Sequence, residues 1–201
     1  MKLYVNKTSP YARKLLVLLR EKGQAGSRVE AVQTDPWTSP GDLLAANPAS
    51  KVPALETDEG WSMGESWAIA EYLDEILPGP RLLPPAGPAR WRELRLAALA
   101  QAMTDAAFSA AIEGRRPDGE RSPGWVARQT AAVERTAAAL EAQLELLTAG
   151  FGLGALSVGV ALDYVAFRHP GVPWRDAAPG LAAWHSEVVR RPSFQATDPR
   201  G

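Results

Sequence analysis

Cysteine is absent from the 201 residues. That removes a disulfide scaffold, a protein thiol nucleophile and any thiolate metal site, and it agrees with a reducing, cytoplasmic setting. Histidine is scarce: His169 and His185 are the only two, so no metal site is expected. Neither charge is in excess. The 22 Lys and Arg nearly cancel the 23 Asp and Glu, leaving no net basic field for a phosphate backbone, and a nucleic-acid partner is not expected. Long apolar runs are missing too. The strongest, Leu15 to Leu19, is followed by Arg20-Glu21-Lys22 and falls far short of the roughly 20 residues that span a bilayer. The opening MKLYVNKTSP is too polar for a secretory h-region, and no glycine-rich phosphate loop occurs. The expectation is a soluble chain of one or two domains with no membrane partner.

What is present changes character near residue 80. Before it, strand-like runs alternate with helical ones: KLYVN (2–6) and SRVEAV (27–32) read as strands. Between them Ala12, Leu15, Leu16 and Leu19 mark one buried helix face. Ser9 precedes Pro10, and proline favours the first helical position, so Ser9 reads as the N-cap. Short strands follow at 53–57 and 61–63, with Asp58-Glu59-Gly60 as the hairpin turn. A helix then carries Ile69, Tyr72, Leu73, Ile76 and Leu77 on its apolar stripe, with Glu71, Asp74 and Glu75 on a solvated face. The order β-α-β, irregular stretch, β-β-α is that of an α/β thioredoxin-like domain, over residues 1–78.

Residues 79–88, rich in proline and glycine, read as a linker. Residues 89–201 read as an all-α helical bundle. Val126, Val133, Ala137, Leu140, Leu144 and Leu147 recur at helical steps along one long helix, with breaks near 114–124, 149–154 and 169–179. The tail RRPSFQATDPRG has little periodicity and is expected to wrap over the surface. The seven tryptophans read as core and interface residues.

Three strings, TSPYARKLLVLLREKG, NPASKVPALETDEG and GESWAIAEYLDE, occur in that order. Together they resemble the N-terminal domain of bacterial glutathione transferases, and ALDYVAFRHPGVPWRDAAPGLAAWHSEVVRRPSFQATDP resembles the C-terminal part of the same family. The resemblance implies glutathione as cosubstrate and a transferase that moves its thiolate to a small hydrophobic electrophile. A non-catalytic binding or regulatory protein on the same fold is the alternative. It implies a cis peptide bond at Val52-Pro53, with the Val52 main chain pairing with the tripeptide like an added strand. It places the γ-glutamyl end at Glu65 and Ser66, where a helix N-terminus suits a carboxylate, and offers Lys51 to the glycyl carboxylate.

In the serine-type members of the family, a serine placed as Ser9 is here donates to the glutathione sulfur and favours the thiolate, the reactive form. Tyr4 and Tyr11 are the alternative hydroxyls, with Ser9 then only a cap. The electrophile pocket is expected at Tyr11, Met103 and Phe108. Relatives are homodimers that reach glutathione across the interface with an aspartate. Gln101 stands at that place, with Asp105 four residues on. A Ser-x-x-Asp box at a buried helix start is reduced here to Ser157 and Val160.

Overall fold

The computed structural model describes residues 1–201. The chain forms two compact units, Met1–Leu83 together with Arg191–Gly201, and Pro84–Arg190. The first unit therefore contains residues that are distant in sequence. The tail, read from sequence as surface wrapping, forms a short helix with Ser193 and Phe194 buried.

In the first unit, β1 (Lys2–Val5) lies parallel to β2 (Glu30–Gln33) and antiparallel to β3 (Ala54–Glu56), which pairs antiparallel with β4 (Ser62–Met63). The sheet order is β2-β1-β3-β4. Helix α1 (Pro10–Glu21) crosses between β1 and β2, as a parallel pair requires. The intervening stretch, expected to be irregular, holds the short α2 (Gly41–Ala46). Helix α3 (Ser66–Ile76) follows β4. Of the α1 stripe, Ala12, Leu15 and Leu19 are buried and Leu16 is half-buried, but Arg13 (4% exposed) and Lys14 (6%) on its other sides are buried too. The reason is that α1 packs against both α3 and the C-terminal helix.

The largest departure from the sequence reading is Asp74, assigned above to a solvated face. It is 1% exposed. Its carboxylate meets Lys22 Nζ at 2.7 Å and accepts the main-chain N–H groups of Leu82 and Leu83 at 2.9 and 3.0 Å. Lys22 also donates to the Asp74 carbonyl, as does Arg81. The linker is thus stapled to α3, and α3 to the end of α1, by one buried ion pair. Periodicity missed it because the partners that bury Asp74 are a lysine and two backbone amides from other segments.

The second unit holds α4 (Gly87–Glu113), α5 (Pro123–Glu141), α6 (Leu144–Thr148), α7 (Leu153–Arg168), α8 (Trp174–Ala177) and α9 (Pro179–Val188). The tail helix of the first unit is α10 (Pro192–Gln195). The long helix expected through Leu147 breaks after Glu141, and Glu141 turns its carboxylate to other work. It accepts the N–H groups of Gly180 and Leu181 at 3.0 and 2.6 Å, closing the start of α9.

Glu93 does the same for α7, accepting from Gly154 N at 2.6 Å. Ser157 is no cap: it lies inside α7 and donates to the Leu153 carbonyl, and the N-cap position is Gly152. A Cβ on Gly152 would sit 2.5 Å from the Glu93 carboxylate, so glycine makes the room for this borrowed cap. The helical core gathers Leu96, Met103, Val133, Leu140, Leu162 and Leu181. His185 packs edge-on to Trp174. Of the tryptophans only Trp174 is fully buried, while Trp37, Trp61, Trp67, Trp91 and Trp125 are exposed. No helix is long and apolar enough to cross a membrane.

Two outcomes follow from these charges. Asp74→Asn strands Lys22 in the interior and should lower unfolding free energy by about 3–5 kcal/mol, read from denaturant midpoints. Glu93 behaves differently, because burial pushes its carboxyl above the usual range despite the Gly154 hydrogen bond. An acid whose folded value is raised is most favourable below its unfolded value, and that contribution is lost as pH rises through the folded one. Glu93→Gln keeps the acceptor and removes the ionisation. Its stability relative to the parent should therefore increase as pH rises from about 4 to 7, across the unfolded Glu value of about 4.3.

Candidate functional site

Two helix starts in the first unit carry the candidate residues. At the first, Ser9 is the N-cap of α1: its Oγ accepts from Ala12 N at 3.3 Å, and its carbonyl accepts from Arg13 N at 2.9 Å. Asn6 shapes the approach, its side-chain oxygen accepting from the backbone and hydroxyl of Thr8, while Ser9 N donates to Asn6 O. With its oxygen engaged by Ala12, the Ser9 hydroxyl has a proton left to give.

At the second, α3 starts at Ser66 with Glu65 before it, and no side chain caps the turn. The first N–H groups of a helix have no partner within it. Here they are joined by a buried amine, since Lys14 Nζ donates to Ser66 Oγ at 3.1 Å and both side chains are buried. Sequence reasoning took no notice of Lys14. The signal was there only as a lysine at a helix position that turns out to be interior. Lys14 links the two starts: from Ser9 to Lys14 the helix rises about 7.5 Å, close to the roughly 7 Å of two extended residues.

The loop from Asn47 to Pro53 completes the constellation. Asn47 donates to Lys51 O at 2.9 Å and accepts from Ala49 N, and Ser50 Oγ donates to Pro36 O. Val52-Pro53 is cis. Pairing of β3 with β1 stops at Ala54 opposite Tyr4, so the Val52 main chain lies beyond the ladder. Lys51 is exposed. Three non-glycine residues have positive φ, and two flank the site: Ser50 at 51° beside Lys51 and Glu65 at 64° beside Ser66. Each such residue costs on the order of 1–3 kcal/mol and tends to be kept where function needs it.

Tyr4 is fixed elsewhere. It is buried among Leu43, Ala46 and Ala54, and its hydroxyl donates to Glu56 at 3.2 Å. Burial first, then the adjacent Glu56 carboxylate, push its phenol up from the ordinary value. A phenol facing a carboxylate is a poor place for a second anion. Tyr11, the second residue of α1, is half-buried in the first unit.

The helical unit treats its three candidates differently. Met103 is 0% exposed and part of the core, so the expectation that it walls a pocket is corrected: its side chain is consumed in packing. Phe108 is only partly buried against that core. Gln101 is half-buried and gives its amide to Asp105 at 2.9 Å, so the two side chains present one shared negative group. No three His, Asp or Glu side chains gather as a metal site needs.

Residues 8–76 match the family model for the glutathione S-transferase N-terminal domain, and residues 123–187 that for the C-terminal domain. A GST-like protein of Escherichia coli K12, YibF, is 32% identical over 99% of this chain and 98% of its own. The chain belongs to the glutathione transferase family. Among solved structures, a family member from Pseudomonas fluorescens Pf-5 with bound glutathione has a TM-score of 0.92 at 40% identity, covering 98% of this chain and 97% of that one. With bound S-(propanoic acid)-glutathione, the TM-score is 0.90 at 39% identity over 99% of both chains.

Within this family member the Tyr4 environment makes a direct prediction. Phenolate absorbance, titrated in the parent and in Tyr4→Phe, should differ by one component lying on the alkaline side of about 10, the ordinary tyrosine value. Tyr4→Phe should also cost about 1 kcal/mol in denaturant unfolding, because Glu56 loses its donor.

Proposed function

We propose that the protein is a serine-type glutathione transferase. It binds glutathione through Ser9, Lys51, Val52, Pro53, Glu65 and Ser66, with Lys14 added, and passes the thiolate to a small hydrophobic electrophile. The observation that carries this reading is common to both serines. Each hydroxyl oxygen already accepts a hydrogen bond from inside the protein, Ser9 from Ala12 N and Ser66 from Lys14 Nζ. Each therefore has its proton available to an incoming anion at a helix start. Ser66, the free N–H groups of α3 and the Lys14 amine suit the γ-glutamyl carboxylate. Ser9 and the start of α1 suit the thiolate. The Val52 main chain suits the cysteinyl backbone, and exposed Lys51 the glycyl carboxylate.

Chemistry then requires little more than ionisation. A free thiol near pKa 8.5 is mostly protonated at neutral pH. A hydroxyl donor plus the positive end of a helix lowers that value, and the thiolate attacks the electrophile while the proton leaves to solvent. Tyr11 and Phe108 are the residues read as facing the electrophile. The protein is read as a homodimer, in which the Gln101–Asp105 pair of a neighbouring subunit faces the glutathione ammonium. The exposed Trp61 and Trp67 of the first unit support a covered surface in the assembled state.

The test is calorimetry with glutathione, followed by turnover of a reactive aryl halide. Ser9→Ala should weaken glutathione binding far less than it slows turnover. It should reduce turnover roughly ten- to a hundredfold at neutral pH, the worth of one charge-assisted hydrogen bond of about 1.5–3 kcal/mol. The deficit should close as pH rises and the thiol ionises unaided. Binding without turnover in the parent would make the protein a non-catalytic member, and an unchanged thiol titration in Ser9→Ala would reduce Ser9 to a cap.

A further inference from the structure

We propose that the segment Arg191–Gly201 is a brace for the thiol-activating start of α1, and that Arg13 is the positioning residue through which it acts. The inference rests on Ser9 being the hydroxyl that holds the glutathione sulfur.

The tail meets α1 at three levels. At the far end, Glu21 accepts both Nε and Nη2 of Arg191, at 3.1 and 2.8 Å, and the Ser193 hydroxyl at 2.5 Å. In the middle, Arg13 donates from Nη2 to the Phe194 carbonyl at 3.3 Å and from Nε to Thr197 Oγ1 at 3.4 Å, with its guanidinium over the Phe194 ring. Ahead of the helix, Lys7 Nζ donates to the Gly201 carbonyl. Ser9 lies between the two cationic levels. Thr197 is itself fixed, since its hydroxyl donates to Ser193 O at 2.9 Å. Its oxygen is thereby left to receive Arg13.

Arg13 also has a local tie to the cap. Its own N–H donates to the Ser9 carbonyl at 2.9 Å, so the residue that closes the first turn of α1 is the one anchored in the tail. A hydrogen bond from Ser9 to sulfur demands placement within a fraction of an ångström, and a displacement of about 1 Å can cost a hundredfold in rate. Reactive groups are held to such tolerance by the residues behind them. The buried fork of Arg13, set into two acceptors of a segment that is itself bolted to Glu21, supplies that backing. Periodicity in α1 does not require an arginine here, and a solvated arginine would serve an ordinary cap as well.

The experiment uses the full chain and reads the pKa of bound glutathione from thiolate absorbance, with the pH dependence of turnover beside it. Arg13→Lys keeps charge and stem but cannot span both acceptors. Thr197→Val keeps shape and removes one acceptor from the other side, which guards against a folding defect at Arg13. Each should raise the bound thiol pKa, Arg13→Lys by about 0.5–1 unit, a three- to tenfold loss of thiolate at neutral pH. KM for glutathione should change little. In a Ser9→Ala background neither substitution should shift the pKa further, because the brace acts through Ser9.

A shift by Ser9→Ala alone, with Arg13→Lys and Thr197→Val unchanged, overturns the brace and leaves the Ser9 assignment standing. An equal shift by Arg13→Lys with and without Ser9 shows Arg13 acting independently of Ser9 and overturns the positioning role. No shift by Ser9→Ala removes the assignment on which the brace depends.

Discussion

A twelve-residue helix carrying four charged side chains, wrapped by a sheet, a second helix and a returning tail, is the constraint around which the first unit is arranged. Arg13 and Lys14 of α1, and Lys22 just past its end, are buried. An unpartnered buried charge costs far more than any local packing gain returns. Each must therefore be answered from elsewhere: Arg13 by the tail, Lys14 by Ser66, Lys22 by Asp74. These answers set the position of everything else. The tail lies where it does because Arg13 and Glu21 need it, and α3 begins beside α1 because Lys14 reaches its first residue. The linker leaves the unit at a fixed place because Asp74 holds Leu82 and Leu83 by their amides.

The same electrostatics makes the candidate site. The buried Lys14 reaches the start of α3 at Ser66, and the serines at the two helix starts are held by hydrogen bonds within the protein. Tyr4 shows the contrast. It stands on the adjacent strand, yet its hydroxyl is spent on Glu56 and its burial resists ionisation. Two hydroxyls near one place in the sequence thus have opposite electrostatic characters, and the difference comes first from burial and then from a carboxylate fifty-two residues away.

Much of this was legible from residues alone. The alternation of β1 and α1, the Ser9-Pro10 start, the hairpin around Gly60 and the Glu65-Ser66 step all follow from local rules, because caps, turns and apolar stripes are short-range physics. The misreadings share one cause. Asp74, Lys14 and Arg13 look like solvated charges because composition and period describe a helix in isolation. What buries them is a partner up to 184 residues distant, on which a local pattern carries no information. Met103 failed in the opposite sense: an apolar residue on α4 fits a pocket wall or a core equally well until the neighbouring helices are in place. The caps supplied by Glu93 and Glu141 escaped notice because a helix start is usually searched for its own serine or aspartate, not for a glutamate on another helix.

The return of the tail has a consequence for how the protein is made. A ribosome delivers the first sheet and α1 early, and domains generally fold as they emerge, N-terminal first. Here the segment that receives Arg13 and neutralises Glu21 follows the whole helical unit in sequence and leaves the exit tunnel after it. The first unit must therefore wait, with one flank of α1 uncovered, while the whole helical unit is synthesised and folds. Sequence-distant pairing of this kind is slow to close, and it makes completion of the candidate site a late event in biosynthesis. The first sheet and α1 are thereby tied to a segment that the chain supplies only after the helical unit.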